Sequence, residues 1–221
     1  MVDMLLWAFV DDSIILDPQS GLPAFVGHGG AIVTPQQLKN LEREWTQALG
    51  KYCVKKPFDM ADFEHYRRQF SGWSEEMHQE LLNNLLAIIK RNTTAYIGYS
   101  APYEERQSFG EKRKVLIENM LQNCSLEAAK FRDGKINFIL APDTEANQIK
   151  FSQHLNQSIP LLSQAKDNQG DSPSANIALQ VADLLAYEFV RWKNAPKPGN
   201  ARYPIRFLAR DAAQPFYVTH A

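Results

Sequence analysis

SANIALQVADLLAYEFVRWKN, residues Ser174–Asn194, predicts a helix whose apolar residues surround one polar spot. From Ile177 to Tyr187 every residue is apolar except Gln180 and Asp183. Whichever face such a helix turns inward, these two are hard to keep fully in water. Their i, i+3 spacing sets them on the same helical face, one turn apart. An ionised aspartate taken out of water costs several kcal/mol unless a cation, a metal ion or several donors compensate it. A helix cap or a structural salt bridge would be the plain reading of Asp183. It is mid-helix, however, with Ser172, Ser174 and Asn176 upstream as better caps.

Outward from this helix, 221 residues with 44% hydrophobic content suffice for one well-buried domain. A formal net charge of -1 gives no global attraction to nucleic acid or acidic membranes, so any basic surface must be local. The two cysteines, Cys53 and Cys124, are far apart and form no CxxC pattern. This argues against a disulfide scaffold or a cysteine zinc site and fits a cytoplasmic location. The apolar run Met4 to Val10 is too short for a signal core and runs into Asp11 and Asp12. Nothing in the sequence reaches membrane-spanning length.

The N-terminal Leu5–Val10 reads as a buried strand that delivers Asp11 and Asp12 at its end. A second strand is expected over Phe25–Val33, where Gly27, Gly29 and Gly30 predict a bulge or a close backbone approach. Thr34-Pro35 opens a helix that should end near Gly50. The acidic segment 57–65, PFDMADFEH, carries Asp59, Asp62 and Glu64 and can be a strand end, a first helical turn or a solvated turn. A long helix is expected from Ser74 through Lys90, then strands over Thr94–Tyr99 and Lys135–Ala141. Between those strands lies a helix from about Lys112 to Lys130. Pro142-Asp143-Thr144-Glu145 follows the later strand, with Asp143 either a functional acid or the cap of a helix over Thr144–Asn156. A short strand is expected over Ile159–Ala165. The basic residues Arg191, Lys193, Lys197, Arg202, Arg206 and Arg210 are interleaved with Trp192, Tyr203 and Phe207. Such a stripe suits a nucleic-acid backbone with bases stacked on rings, and equally a solvated tail; its prolines and glycine predict a loop.

Alternating strands and helices predict an α/β or α+β domain with a mixed sheet. Carboxylates recur where elements end: Asp11 and Asp12, Asp62 or Glu64, Asp143 and Asp183. If they converge, their repulsion calls for cations, and oxygen-only ligands favour magnesium or manganese. Two such ions activate water and stabilise the leaving oxygen in phosphodiester cleavage.

The combination of Phe9-Val10-Asp11-Asp12-Ser13 with Leu179-Gln180-Val181-Ala182-Asp183-Leu184-Leu185-Ala186 resembles the family catalogued as domain of unknown function 3800. The middle stretch Phe58-Asp59-Met60-Ala61-Asp62-Phe63 is similar to a further motif of part of that family. The resemblance covers nearly the whole chain in order. It implies a ribonuclease H-like mixed β-sheet flanked by α-helices, an acidic metal site holding Mg2+ or Mn2+, and nuclease activity. It carries over Asp11, Asp143 and Asp183 as the metal-holding acids, with Asp62 from the middle motif. Asp12 stands where the family has Glu, Ile14 where it has Gly, and Asp59 where it has His. The expected arrangement is one domain over 1–194 with a basic and aromatic extension, 195–221, packed on it.

The resulting expectation is a metal-dependent nuclease in which Asp11, Asp143, Asp183 and Asp62 act directly. Asp12, Gln180, Glu64 and Asp59 support them, His65 is a candidate proton carrier, and Arg191, Lys193, Arg202 and Arg206 track phosphates. RNA, DNA or a hybrid would be the partner. The contrasting reading is a binding module of the same fold, for nucleic acid or protein, without catalysis.

Overall fold

The computed structural model describes residues 6–21, 23–55, 57–102, 136–140, 162–164, 177–193, 203–209 and 216–220. Strands β1 (Leu6–Leu16) and β2 (Pro23–Val33) open the chain, followed by helices α1 (Pro35–Lys51), α2 (Met60–Glu64) and α3 (Glu75–Arg91). Strands β3 (Ala95–Pro102), β4 (Ile136–Leu140) and β5 (Leu162–Gln164) come next. Helices α4 (Ile177–Lys193) and α5 (Tyr203–Ala209), strand β6 (Phe216–His220) and a short 3-10 helix at Arg68–Phe70 complete the described elements.

The six strands form one sheet in the order β5-β4-β1-β2-β3-β6. β1, β2 and β3 are antiparallel neighbours; β4 lies parallel to β1, β5 to β4, and β6 to β3. The molecule is therefore a mixed α+β fold. Residues of the extension beyond 194 contribute α5 and the edge strand β6 to it. The loop expected across the basic stretch is corrected at Tyr203–Ala209, where Pro204, Ile205 and Leu208 are buried and hold a short helix.

Local chemistry sets the helix starts. Thr34 caps α1 by accepting from the Gln37 N–H, and the Gln37 side chain accepts from the Thr34 N–H in return, with Pro35 at the first helical position. Ser74 caps α3, whose first turn carries Glu75 and Glu76 and whose last carries Lys90 and Arg91, matching the helix dipole.

The first strand differs from its expected length. It continues through the two aspartates to Leu16, so Asp11 and Asp12 are mid-strand residues paired with Gly29 and His28 of β2. The β-branched Ile14 and Ile15 extend the pairing, which overrides the polar Asp-Asp-Ser break. The described part of the parallel partner β4 reaches Leu140, opposite Val10.

Helix α4 crosses β1, β2 and β3 and is buried along nearly its whole length, from Ala178 to Val190 apart from Asp183. One large core joins it to α1 through Trp45, to α2 through Met60 and Phe63, and to α3 through Leu81, Leu85 and Ile89; Ala31 and Tyr96 belong to it from the sheet. The glycines of β2 explain the close contact. The β1–β2 register shifts between Ile15 and Leu16, away from the glycines, so they mark no bulge. A Cβ on Gly29 would instead stand 2.5 Å from the Ala186 Cα, so only glycine lets α4 lie this close.

Candidate carboxylate site

Asp183 sits in the middle of α4, between leucines and alanines that are fully buried. Its Oδ2 accepts the Met60 N–H at 2.7 Å. That donor is supplied by the segment before α2. Asp59 caps the helix by accepting the Asp62 N–H at 2.7 Å, which fixes the turn that aims the Met60 N–H outward from α2.

Gln180, one turn earlier, secures the same segment. Its Oε1 accepts from the Phe58 N–H at 3.0 Å and from the Trp45 indole N–H at 3.1 Å, in a fully buried setting. One amide oxygen thus ties α1 and the 57–60 segment to α4. The amide acts on the carboxylate through the backbone that donates to it.

The electrostatics follow from this packing. Asp183 as a residue keeps partial access to solvent, yet burial of its carboxyl raises its pKa, to about 7. The Met60 N–H opposes that rise, the charges of Asp59 and Asp12 add to it, and the Arg191 guanidinium opposes it. Two acidic neighbours and one basic neighbour therefore share the field of Asp183.

The expected acids are distributed unevenly around this point. Asp12 and Asp59 reach Asp183 electrostatically. In a regular strand consecutive side chains point to opposite faces, so β1 does not aim Asp11 and Asp12 the same way. Asp11 Oδ1 accepts the Asp12 N–H at 2.8 Å. Asp62 Oδ2 is 3.1 Å from the Arg68 Nε, turned toward the surface. Glu64 ends α2 half-buried, and His65 beyond it is exposed. Asp143 lies outside the described residues, three positions after the end of β4. Among the described residues, no three His, Cys, Asp or Glu side chains are close enough together to hold one metal ion.

The basic residues are also distributed differently from a continuous strip. The Arg191 guanidinium lies 3.3 Å from the centroid of the Tyr187 ring and donates to the Tyr187 carbonyl oxygen at 3.3 Å. It is folded back along α4 toward Asp183. Arg206 is exposed on α5, Lys193 ends α4, and Arg202 lies outside the described residues.

Among the buried polar residues that escape sequence reasoning, Glu188 and His28 lie nearest the elements that carry Asp183 and Asp12. Glu188 is 0% exposed on α4, hidden in the sequence by its aromatic neighbours Tyr187 and Phe189. His28, 3% exposed, pairs with Asp12 across β1 and β2. The expected strand over Phe25–Val33 left the burial of His28 open, because strand alternation alone does not say which face is covered.

No protein-family profile, curated protein or solved structure matches the chain. Among the described residues, no helix is long and apolar enough to cross a membrane.

Proposed function

We propose that the chain is a divalent-metal-dependent nuclease of ribonuclease H-like architecture that cleaves phosphodiester bonds at Asp183. One observation carries this reading. Asp183 projects from the buried α4 into the field of Asp12 and Asp59, and among the described residues its carboxylate receives one hydrogen bond, from Met60. A carboxylate so desolvated, beside two like charges, is stabilised by a proton or by a further cation, and the cation is the reading proposed.

The donor set fits a hard divalent ion in charge and chemistry, being oxygen-only, which suits Mg2+ or Mn2+. Asp183 would hold it, with Asp11, Asp12 and Asp143 as the further acids; because β1 aims Asp11 and Asp12 to opposite faces, only one of those two would reach the ion directly. Asp62 takes a lesser part, since its carboxylate is engaged by Arg68. The mixed sheet, with both aspartates on β1 between a parallel and an antiparallel neighbour, supports the ribonuclease H-like reading. When bound, the ion supplies an activated water and stabilisation of the leaving oxygen. The chain's own contribution is positional. Gln180 and Met60 hold Asp183 in one orientation, Asp59 fixes the α2 turn, and Arg191 on Tyr187 places a positive group near the carboxylates.

Labelled single-stranded, duplex and hybrid nucleic acids incubated with Mn2+ or Mg2+ test the reading, against chelator and against Asp183→Asn. Cleavage that is lost in both controls supports it and names the substrate class. A folded wild type that cuts none of the three and binds no Mn2+ in calorimetry makes Asp183 a structural carboxylate.

A further inference from the structure

The turn after α2, His65–Arg68, holds two non-glycine residues in left-handed backbone angles, Tyr66 at φ 53 and Arg68 at φ 49. Such angles are uncommon without glycine and persist only where surrounding bonds hold them. Here the Tyr66 N–H donates to the Phe63 carbonyl at 3.1 Å and the Arg67 N–H to the Asp62 carbonyl at 2.8 Å.

The result of this turn is a stack of three rings running from the core to the surface. Phe63 is fully buried, and the His78 imidazole lies on it at 3.7 Å between centroids with planes 10° apart. Tyr66 lies against His78 at 4.6 Å and 24°. The His78 Nε2 is 3.0 Å from the Phe63 carbonyl oxygen, which fixes the middle ring. Tyr66, at the outer end, is 38% exposed. Arg67 and Arg68 beside it are exposed; Arg68, with 71% of its side chain open to solvent, has the weak surface pair with Asp62 described above.

We propose that this stack is a base-stacking platform for single-stranded nucleic acid, with Arg67 and Arg68 holding the phosphates that flank the stacked base. An aromatic ring fixed at the surface next to two exposed arginines in sequence fits a polyanion that also carries planar bases. Single strands fit better than duplexes, because bases in a duplex are already stacked on their neighbours. The five residues of α2 rise about 7.5 Å between Met60, which bonds Asp183, and this turn. A strand stacked on Tyr66 therefore passes within a few nucleotides of the carboxylates. The proposal goes beyond the cleavage reading, since stacking needs no metal ion.

The test is fluorescence anisotropy of a labelled single-stranded oligonucleotide in chelator, with the matching duplex and an abasic oligomer of equal length as competitors. Wild type is expected to prefer the single strand over both. Tyr66→Gly suits the φ of 53 without strain, so the variant keeps its fold, checked by thermal melting. Its affinity for the base-containing strand should fall about tenfold, with no change for the abasic oligomer. Tyr66→Trp should retain binding, and Arg67→Ala should reduce the salt slope by about 0.7. Equal binding by wild type and Tyr66→Gly, or equal binding of abasic and base-containing strands, overturns the platform. Binding that follows this pattern while Mn2+ yields no cleavage leaves the platform standing and removes the nuclease reading. Cleavage by Tyr66→Gly with unchanged KM does the reverse.

Discussion

The N–H of Met60 donates to Oδ2 of Asp183 at 2.7 Å, joining residues 123 positions apart. The bond links the short helix that follows Asp59 to the buried helix α4, and it fixes a carboxylate that feels the charges of Asp59 and Asp12.

Asp183 should make stability depend on pH. Its carboxyl titrates near 7 in the folded chain, against an ordinary value of 3.8 when unfolded. Between those values the folded state holds the extra proton, so the group's contribution to stability is fullest in acid and falls as pH rises through neutrality. Asp183→Asn removes this dependence and keeps an acceptor for the Met60 N–H. Urea unfolding should show the variant gaining on wild type, from about pH 4 to about pH 8, by on the order of 1–3 kcal/mol. A constant difference across that range means that Asp183 titrates as an ordinary carboxylate.

Metal binding should run with the same proton. A carboxyl that holds its proton to about 7 must release it to coordinate an ion. The rise in Tm given by Mn2+ should therefore be larger at about pH 8 than at about pH 5.5, and should vanish in Asp183→Asn. Asp59→Ala should diminish the rise and Asp62→Ala should leave it, since Asp62 is turned to Arg68. An equal loss in both variants would place the two carboxylates in the same role.

Gln180 should matter for stability more than its polar character suggests. Gln180→Leu strands the Trp45 indole N–H and the Phe58 N–H in a buried place, at a cost of roughly 2–4 kcal/mol. Gln180→Glu, which keeps an acceptor, should lose less. A Gln180→Leu protein with an unchanged urea midpoint would mean that water reaches both donors.

The sheet glycines separate by what they face. A Cβ at Gly29 meets the backbone of Ala186, whereas one at Gly98 meets the Phe189 ring at 2.5–2.6 Å. Both alanine variants should be destabilised by about 1–3 kcal/mol or more. Phe189→Leu should recover part of the loss for Gly98→Ala, and Ala186→Gly should recover none for Gly29→Ala. In contrast, Gly50→Ala on α1 meets nothing within 4 Å and should raise the unfolding midpoint, by about 0.5–1 kcal/mol.

Helices α1, α3 and α4 could be read from residues 34–51, 74–91 and 177–193 because cap chemistry and apolar periodicity are local properties of the chain. So was the strand at 136–140, and so was the burial of Gln180 and the strain on Asp183, since a helix apolar on every side has no wet face to offer them. Other features were decided only by tertiary pairing. β1 runs through Asp11 and Asp12 because β2 supplies a partner along that whole length, and Phe216–His220 is a strand because β3 offers it an edge. The nearness of the Asp59 and Asp12 charges to Asp183 depends on side-chain directions across elements far apart in sequence, and the engagement of Asp62 by Arg68 and of Arg191 by Tyr187 on local side-chain directions. Spacing along one chain sets which residues share a face of one element; it carries no information on which faces of different elements meet, and that meeting sets the surroundings of Asp183.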